Sequence, residues 1–278
     1  MIAESERILG TSDAPRLDAE VLIAAALGLD RGALYRMPEH AIGGAELSRC
    51  RSLVQERARG VPVAYLCGHR EFWSLDLRVD RSTLIPRPET ELLVELALDT
   101  ACANAAIDAV DLGTGSGAIA LALAHERPRW RIAAVDVSPA ALACARANAS
   151  RLGIERIEWL SGDWFAPLAG RRFDLVVANP PYVAENDPHL EGDLSFEPRL
   201  ALASGTDGLD AIRAIVAAAP AYLRPDGRIL IEHGWTQGTQ VRTLLARAGL
   251  VQAGTVGDLA GRERCTHARL PAAASDPP

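Results

Sequence analysis

The sequence predicts an α/β protein with a largely parallel sheet, preceded by a small all-helical domain. Three observations lead there. From residue 88 onward, strand-like apolar runs alternate with helix-like ones, the pattern of a sheet covered on both faces. Residues 107–112 run through Gly113-Thr114-Gly115-Ser116-Gly117 into an alanine- and leucine-rich helix, a strand, turn and helix unit. Residues 1–68 instead carry apolar positions at helical spacing.

In chain order, Leu17, Val21, Ala24 and Ala25 are expected to line one helix face, and Leu47, Cys50 and Val54 another. Glu46, Arg49, Arg51 and Glu56 lie opposite. Breaks fall at residues 28–31 and 38–44. A bundle this small is marginal alone, so it is expected to pack on its neighbour or hold a partner. Residues 69–86 alternate apolar and polar positions, as in Phe72, Ser74, Leu75, Leu77 and Val79, with a turn at Asp80-Arg81-Ser82, and read as a β-hairpin linker. The second domain covers 87–278. Its parallel strands are expected near 107, 131, 156, 173 and 228, followed by an antiparallel pair at about 250–256 and 264–270 around the polar loop 257–263. Residues 272–278 read as a short disordered tail.

The chemistry concentrates at the ends of those strands, where open α/β sheets place ligands. Glycines 113, 115 and 117 permit positive φ and close approach of a ligand to the backbone. The spacing G-x-G-x-G differs from the dinucleotide fingerprint G-x-G-x-x-G. About 20 residues on, the strand ending in Asp136 offers a carboxylate for both hydroxyls of a ribose and argues against a 2′-phosphate. The strand 173–178 stops at Asn179-Pro180-Pro181-Tyr182, because consecutive prolines cannot continue a central strand. A carboxamide, a stiff backbone with free carbonyls and an aromatic face suit the holding of a planar NH2 group. Plainer readings stand beside these: a tight strand-to-helix turn at the glycines, core packing for Trp164, and an ordinary proline turn at 180–181.

The pattern Asp-x-Gly-x-Gly-x-Gly, beginning at Asp111, resembles the first motif of class I methyltransferases. Together with Asn179-Pro180-Pro181-Tyr182, the stretches Arg70-Glu71-Phe72-Trp73, Pro86-Arg87-Pro88-Glu89-Thr90-Glu91, Phe196-Glu197-Pro198-Arg199, Glu232-His233-Gly234-Trp235 and Asp258-Leu259-Ala260-Gly261-Arg262 resemble the PrmC/HemK family of protein-(glutamine-N5) methyltransferases. The resemblance implies a Rossmann-like seven-stranded methyltransferase sheet with an N-terminal substrate-recognition domain. It also implies methylation of the glutamine in the Gly-Gly-Gln motif of class I peptide chain release factors during translation termination. The cofactor it implies is S-adenosyl-L-methionine, which leaves as S-adenosyl-L-homocysteine. By that resemblance Gly113, Thr114, Gly115, Ser116, Gly117, Asp136, Asp163, Trp164 and Asn179 bind cofactor, Asp163 beside the adenine amino group and Trp164 against the ring. Asn179, Pro180, Pro181 and Tyr182 bind substrate, with Asn179, Pro180 and Tyr182 catalytic. Neither His233 nor Glu197 is expected to act as a base: His233 reads as a packing or capping residue, and Glu197 as half of an ion pair with an arginine. Residues 86–91 read either as the cofactor entrance or as a proline-led helix start.

Composition narrows the partners. The net charge is -7, and all 29 basic residues are arginine, without a dense cluster. That weighs against gripping a nucleic acid backbone, where neutralised phosphates supply much of the affinity. The five cysteines show no C-x-x-C spacing and no histidine pairing, so neither a metal site nor a disulfide framework is expected. No apolar run spans a bilayer, and residues 1–7 lack the basic-then-apolar order of a leader, so a cytoplasmic protein with no membrane partner is expected. Three function classes remain: a protein glutamine methyltransferase, on a release factor or a ribosomal protein; a nucleic-acid adenine methyltransferase; and a noncatalytic cofactor-binding protein.

Overall fold

The computed structural model describes residues 1–37, 39 and 41–272. The tail expected at 272–278 therefore lies, beyond residue 272, outside the described residues, as do Pro38 and His40 of the break at 38–44. The chain divides into two compact units, Met1–His69 with Glu191–Phe196, and Arg70–Leu190 with the residues from Glu197 onward.

The first unit is helical: α1 (Ile2–Ile8), α2 (Pro15–Leu27), α3 (Arg31–Arg36), α4 (Gly44–Ala58) and α5 (Val63–Cys67). Pro15 opens α2 at a position whose N–H would have no partner, and Gly28 ends it at φ +66°. Asp30 caps α3 by accepting from Ala33 N at 2.9 Å. Two small cores form, one from Leu9, Ala19, Leu22 and Val54, the other from Ile23, Ala26 and Cys50. The α4 face is thus the expected one, but the α2 face is only partly so. Of the expected face, Ala24 is buried and Val21 half-buried, but Leu17 and Ala25 are exposed, and the buried side is Ala19, Leu22, Ile23, Ala24 and Ala26. The run from Val21 to Leu27 is apolar on every side, so local periodicity cannot choose a face, and packing against α1 and α4 chooses it.

From Arg70 the second unit contains the hairpin formed by β1 (His69–Phe72), whose first residue closes the first unit, and β2 (Leu75–Arg78). Its turn residues are Trp73 and Ser74, at φ +52° and +57°, both left-handed as a two-residue primed turn requires. Asp80-Arg81-Ser82 is a separate turn after β2, closed by Thr83 N donating to Asp80 O at 3.1 Å. The expected hairpin therefore exists, but it folds earlier than at the polar triplet. The main sheet then follows: α6 (Glu91–Leu98), β3 (Asp108–Leu112), α7 (Ala118–Glu126), β4 (Arg131–Asp136), α8 (Pro139–Leu152), β5 (Ile157–Ser161), β6 (Phe173–Ala178), α9 (Asp210–Tyr222), β7 (Leu223–Glu232), α10 (Gly238–Arg247), β8 (Val251–Gly257) and β9 (Glu263–Arg269).

Seven strands lie in the order β5-β4-β3-β6-β7-β9-β8, with the first five parallel and β9 antiparallel to both its neighbours. The strands bury both faces. On one, Ala109, Ile132, Ala134, Leu175 and Val177 meet α6, α7 and part of α8; on the other, Val110, Leu112, Val135, Val176, Ile229 and Ile231 meet α9 and α10. Helix α7 is buried from Ala118 to Ala124, which is why it carries no polar stripe. Among the described residues, no helix is long and apolar enough to cross a membrane.

The observed α2 face predicts that Leu22→Ala costs about 2–5 kcal/mol of stability, whereas Leu17→Ala costs less than about 0.5 kcal/mol. Urea denaturation followed by circular dichroism checks both, and equal losses would contradict the packing.

Candidate active site

The loops after β3, β4 and β6 start side by side, because Leu112 pairs with Val135 on one side and with Ala178 on the other. Between them lies a cavity of about 420 Å³, ample for a nucleoside-sized ligand. Gly113, Thr114, Gly115 and Ser116 line it from the first loop, Asp136 from the second strand, Asp163 and Trp164 from the segment after β5, and Asn179 and Pro181 from the loop after β6.

Backbone hydrogen bonds lock the glycine loop across β4. Gly113 N and Thr114 N both donate to Val135 O, at 2.9 and 3.0 Å. Gly115 N donates to Asp136 Oδ2 and Ser138 N to Asp136 Oδ1, each at 2.8 Å. The Asp136 carboxylate is thereby fixed while retaining lone pairs toward the cavity. Gly115, at φ +56°, has no atom within 4 Å of where a Cβ would stand, so the missing side chain is space the cavity keeps. Gly113 is roofed by the indole of Trp164, 3.3 Å from its would-be Cβ. Trp164 itself holds φ +44°, a strained conformation for a bulky residue.

Gly117 is not among the lining residues. A Cβ there would meet Ala145, Leu121 and Trp159 at 3.1–3.2 Å, so this glycine lets α7 start close against α8 and β5. Pro180 and Tyr182 also stand back from the lining. Pro180 is buried, and the Tyr182 hydroxyl turns toward Glu232 at the end of β7, donating to Oε1 at 3.3 Å. The loop that carries them is clamped: Gln237 Nε2 donates to Tyr182 O at 3.1 Å, and Val183 N donates to Leu202 O at 2.9 Å.

Several functional residues escaped the sequence reading. Thr90, Glu232 and Asn148 are buried polar groups that organise the site, and they lie far in sequence from the residues they serve. Asn179 Nδ2 donates to Thr90 Oγ1 at 3.1 Å. Asn148 Nδ2 donates to Ser116 O at 2.9 Å and Arg78 O at 3.0 Å, tying the glycine loop to the hairpin. Glu197 is an ion-pair partner of Arg87 and accepts from Ile85 N at 2.9 Å, which holds the 85–87 segment at the cavity edge. Pro86, Arg87 and Thr90 line the cavity, and the same segment leads through a short helical turn into α6. His233 is fully buried between Gly234 O and Thr266 Oγ1, at 2.9 and 2.7 Å, and burial lowers its pKa, as befits a packing residue. A buried acid backs each half of the site. Burial pushes Asp111 up to about 7 against the opposing hydrogen bond from Thr114, and pushes Glu232 up to about 7 against those from Thr90 and Tyr182. Among the described residues, no cluster of His, Cys, Asp and Glu is arranged to hold a metal.

Comparison with known proteins finds two family models along the chain. The PrmC N-terminal domain matches residues 1–68 and the Methyltransferase small domain residues 88–193. The chain is similar to the release factor glutamine methyltransferase of Xylella fastidiosa (strain 9a5c), 52% identical over 272 residues that cover 98% of this chain and 97% of that one. It is similar to the enzyme of the same name from Pseudomonas aeruginosa, at 51% identity over 93% of this chain and 94% of the other. Among solved structures, a 16S rRNA N2 G1207 methyltransferase of Thermus thermophilus, in complex with AdoMet and guanosine, matches with a TM-score of 0.55 at 19% identity, over 73% of this chain and 49% of that one. A methyltransferase from Pyrococcus furiosus matches with a TM-score of 0.55 at 16% identity, over 72% and 90%. These two share the fold, the seven-stranded sheet of class I methyltransferases.

Because Asp111 gains its proton more readily folded than unfolded, its contribution to stability is full below pH about 4 and is lost as pH rises through about 7. Asp111→Asn is therefore expected to raise the melting temperature by roughly a few degrees at pH 8 and to give a smaller gain at pH 5. Calorimetry at the two pH values measures the difference, and a gain independent of pH would contradict it.

Proposed function

Because the chain belongs to the release factor glutamine methyltransferase family, we propose that it methylates the side-chain amide nitrogen of the glutamine in the Gly-Gly-Gln loop of class I release factors. The observation that carries this reading is the shared cavity of Asn179 and the glycine loop, with the Asn179 amino group engaged by Thr90 and its oxygen left for an acceptor amide.

The residues fit S-adenosyl-L-methionine. The open space at Gly115 admits an amino-acid or ribose moiety against the backbone, Asp136 offers carboxylate lone pairs to ribose hydroxyls, and the Trp164 indole offers a flat face to an adenine, with Asp163 for its amino group. When bound, the cofactor supplies a sulfonium methyl carbon as electrophile and leaves as S-adenosyl-L-homocysteine.

An amide nitrogen is a poor nucleophile because its lone pair is delocalised. In this reading Asn179 Oδ1 accepts one amide hydrogen and the Pro180 carbonyl the other, holding the acceptor with its lone pair toward the methyl carbon. Pro181 stiffens the loop, and Tyr182, held by its hydroxyl, braces the acceptor's position. As the N–C bond forms, the nitrogen becomes acidic and sheds a proton to water, so no strong base is needed. The acceleration then comes from orientation and fixed dipoles. Residues 1–68 serve as the substrate-recognition domain, 69–86 as the linker and 87–278 as the catalytic domain of a cytoplasmic enzyme. The charge of -7 disfavours a direct nucleic-acid substrate.

Labelled methyl from S-adenosyl-L-methionine is expected on purified release factor, and not on the same factor with its Gly-Gly-Gln glutamine replaced by alanine, on duplex DNA or on a ribosomal protein. Asn179→Ala is expected to lower the rate about 10²–10³-fold with cofactor affinity retained, and Asp136→Ala to weaken the cofactor instead. Label appearing preferentially on nucleic acid or ribosomal protein would overturn the choice of substrate.

A further inference from the structure

Two of the stretches that carry the family resemblance, Glu232-His233-Gly234-Trp235 and Asp258-Leu259-Ala260-Gly261-Arg262, take no part in methyl transfer, yet each lifts a large apolar side chain into solvent. Trp235 is 59% exposed and Leu259 wholly so. Single exposed apolar residues are ordinary, but their distribution here is not. Among the described residues, the exposed large apolar side chains of the second unit are Val137, Leu200, Trp235, Val251 and Leu259. Val137 and Leu200 line the cavity itself. Trp235 follows the carboxyl end of β7, and Leu259 lies in the loop from β8 to β9, which leaves the sheet at the same edge because His233 N donates to Arg264 O at 2.9 Å. Only Val251 stands at the other end of β8. The amino edge of the sheet is instead crossed by ion pairs of Asp108 with Arg131 and Arg224, and of Arg224 with Asp174.

Both side chains ride on braced turns. Gln237 N donates to Gly234 O and Gly234 N to Gln237 Oε1, each at 2.8 Å, and His233 Nδ1 donates to the same carbonyl at 2.9 Å, which closes a turn around Trp235. Gln237 Nε2 then donates to Tyr182 O at 3.1 Å, so the turn that presents the indole and the loop that carries Asn179 form one hydrogen-bonded body. Asp258 braces the other turn: its Oδ1 accepts from Ala260 N and Arg262 N, and its Oδ2 from Arg264 Nε, all at 3.0 Å. Holding an apolar group rigidly in water does nothing for the fold. It does lower the entropy lost when a partner docks.

We propose that Trp235, seconded by Leu259, is the anchor on which the acceptor protein docks, through the polypeptide that flanks its reactive glutamine. This rests on the reading of a release factor as the acceptor. A glutamine side chain is short, so with its amide at Asn179 the main chain that bears it lies along the cavity rim and its flanks run out over the neighbouring turns. The indole suits that occupant. Its broad face packs on the bare peptide planes of a glycine-rich chain, and tryptophan is among the residues that most often dominate the energy of a protein interface. The charge of -7 weighs against the other occupant an exposed aromatic could take, a single nucleic-acid strand stacked on the ring.

The test is methyl transfer over a range of release-factor concentrations, with cofactor affinity measured in parallel by calorimetry. Trp235→Ala is expected to raise KM for release factor about tenfold or more, while the rate at saturating release factor and the cofactor affinity stay within about twofold. Trp235→Phe is expected to recover most of the loss, Leu259→Ser to raise KM about threefold, and Val251→Ser, at the far end of β8, to change nothing. If Trp235→Ala does not fold, Leu259→Ser against Val251→Ser decides, since these lie on a different turn. An unchanged KM in Trp235→Ala, or a fall in the saturated rate in place of a raised KM, overturns the proposal and leaves the methyltransferase reading intact. So does a loss confined to the binding of a single-stranded oligonucleotide. No transfer to release factor by wild type overturns that reading and this proposal with it.

Discussion

Three parallel strands that end level with one another impose the constraint on which the rest of the molecule depends. Leu112, Val135 and Ala178 lie in one register, so the glycine loop, the Asp136 carboxylate and the Asn179 loop all emerge within neighbouring strand spacings. The spacing is enforced by the sheet's hydrogen bonds and by apolar cores on both of its faces. The loops are then cross-tied: Asp136 to Gly115 and Ser138, Asn148 to Ser116, Gln237 to Tyr182. A site assembled this way is rigid before any ligand arrives, which is what chemistry driven by orientation demands.

The same architecture places two acids in apolar surroundings, Asp111 beneath the glycine loop and Glu232 beneath the Asn179 loop. Each leaves one carboxyl oxygen without a partner, a cost that a core built for stability alone avoids. Asp111 also accepts from a hydroxyl that belongs to the cavity lining, that of Thr114, and Glu232 accepts from the hydroxyl of Tyr182 in the Asn179 loop. Local destabilisation at a site that must present particular hydrogen-bonding atoms is a recurrent compromise in enzymes.

Much of this was legible in the linear sequence, for reasons that are local. Residues 107–117 announce a strand, turn and helix because apolar run, glycines and helix formers follow one another without interruption, and two prolines mark the end of β6 unmistakably. The parallel strands fall where expected, as does the antiparallel pair around 257–263. What was hidden depends on contacts between distant segments. Thr90 looked like part of a proline-led helix start, and nothing near it signals Asn179. Glu232 stood unremarked in the stretch Glu232-His233-Gly234-Trp235, where His233 was the more conspicuous residue. The hairpin turn at Trp73-Ser74 has no glycine or asparagine to advertise left-handed backbone. In α2 the unbroken apolar run concealed which side faces inward.

Proline at position 180 has a consequence for the durability of the molecule. Asparagine side chains age chiefly when the backbone nitrogen of the following residue attacks the carboxamide and closes a succinimide ring, which then opens to aspartate or isoaspartate. That attack needs an N–H, and proline has none. Asn179 is followed by Pro180, and its amide nitrogen is further held by Thr90. Asn179, the residue proposed to hold the acceptor amide, is therefore shielded from spontaneous deamidation by its neighbour in the chain.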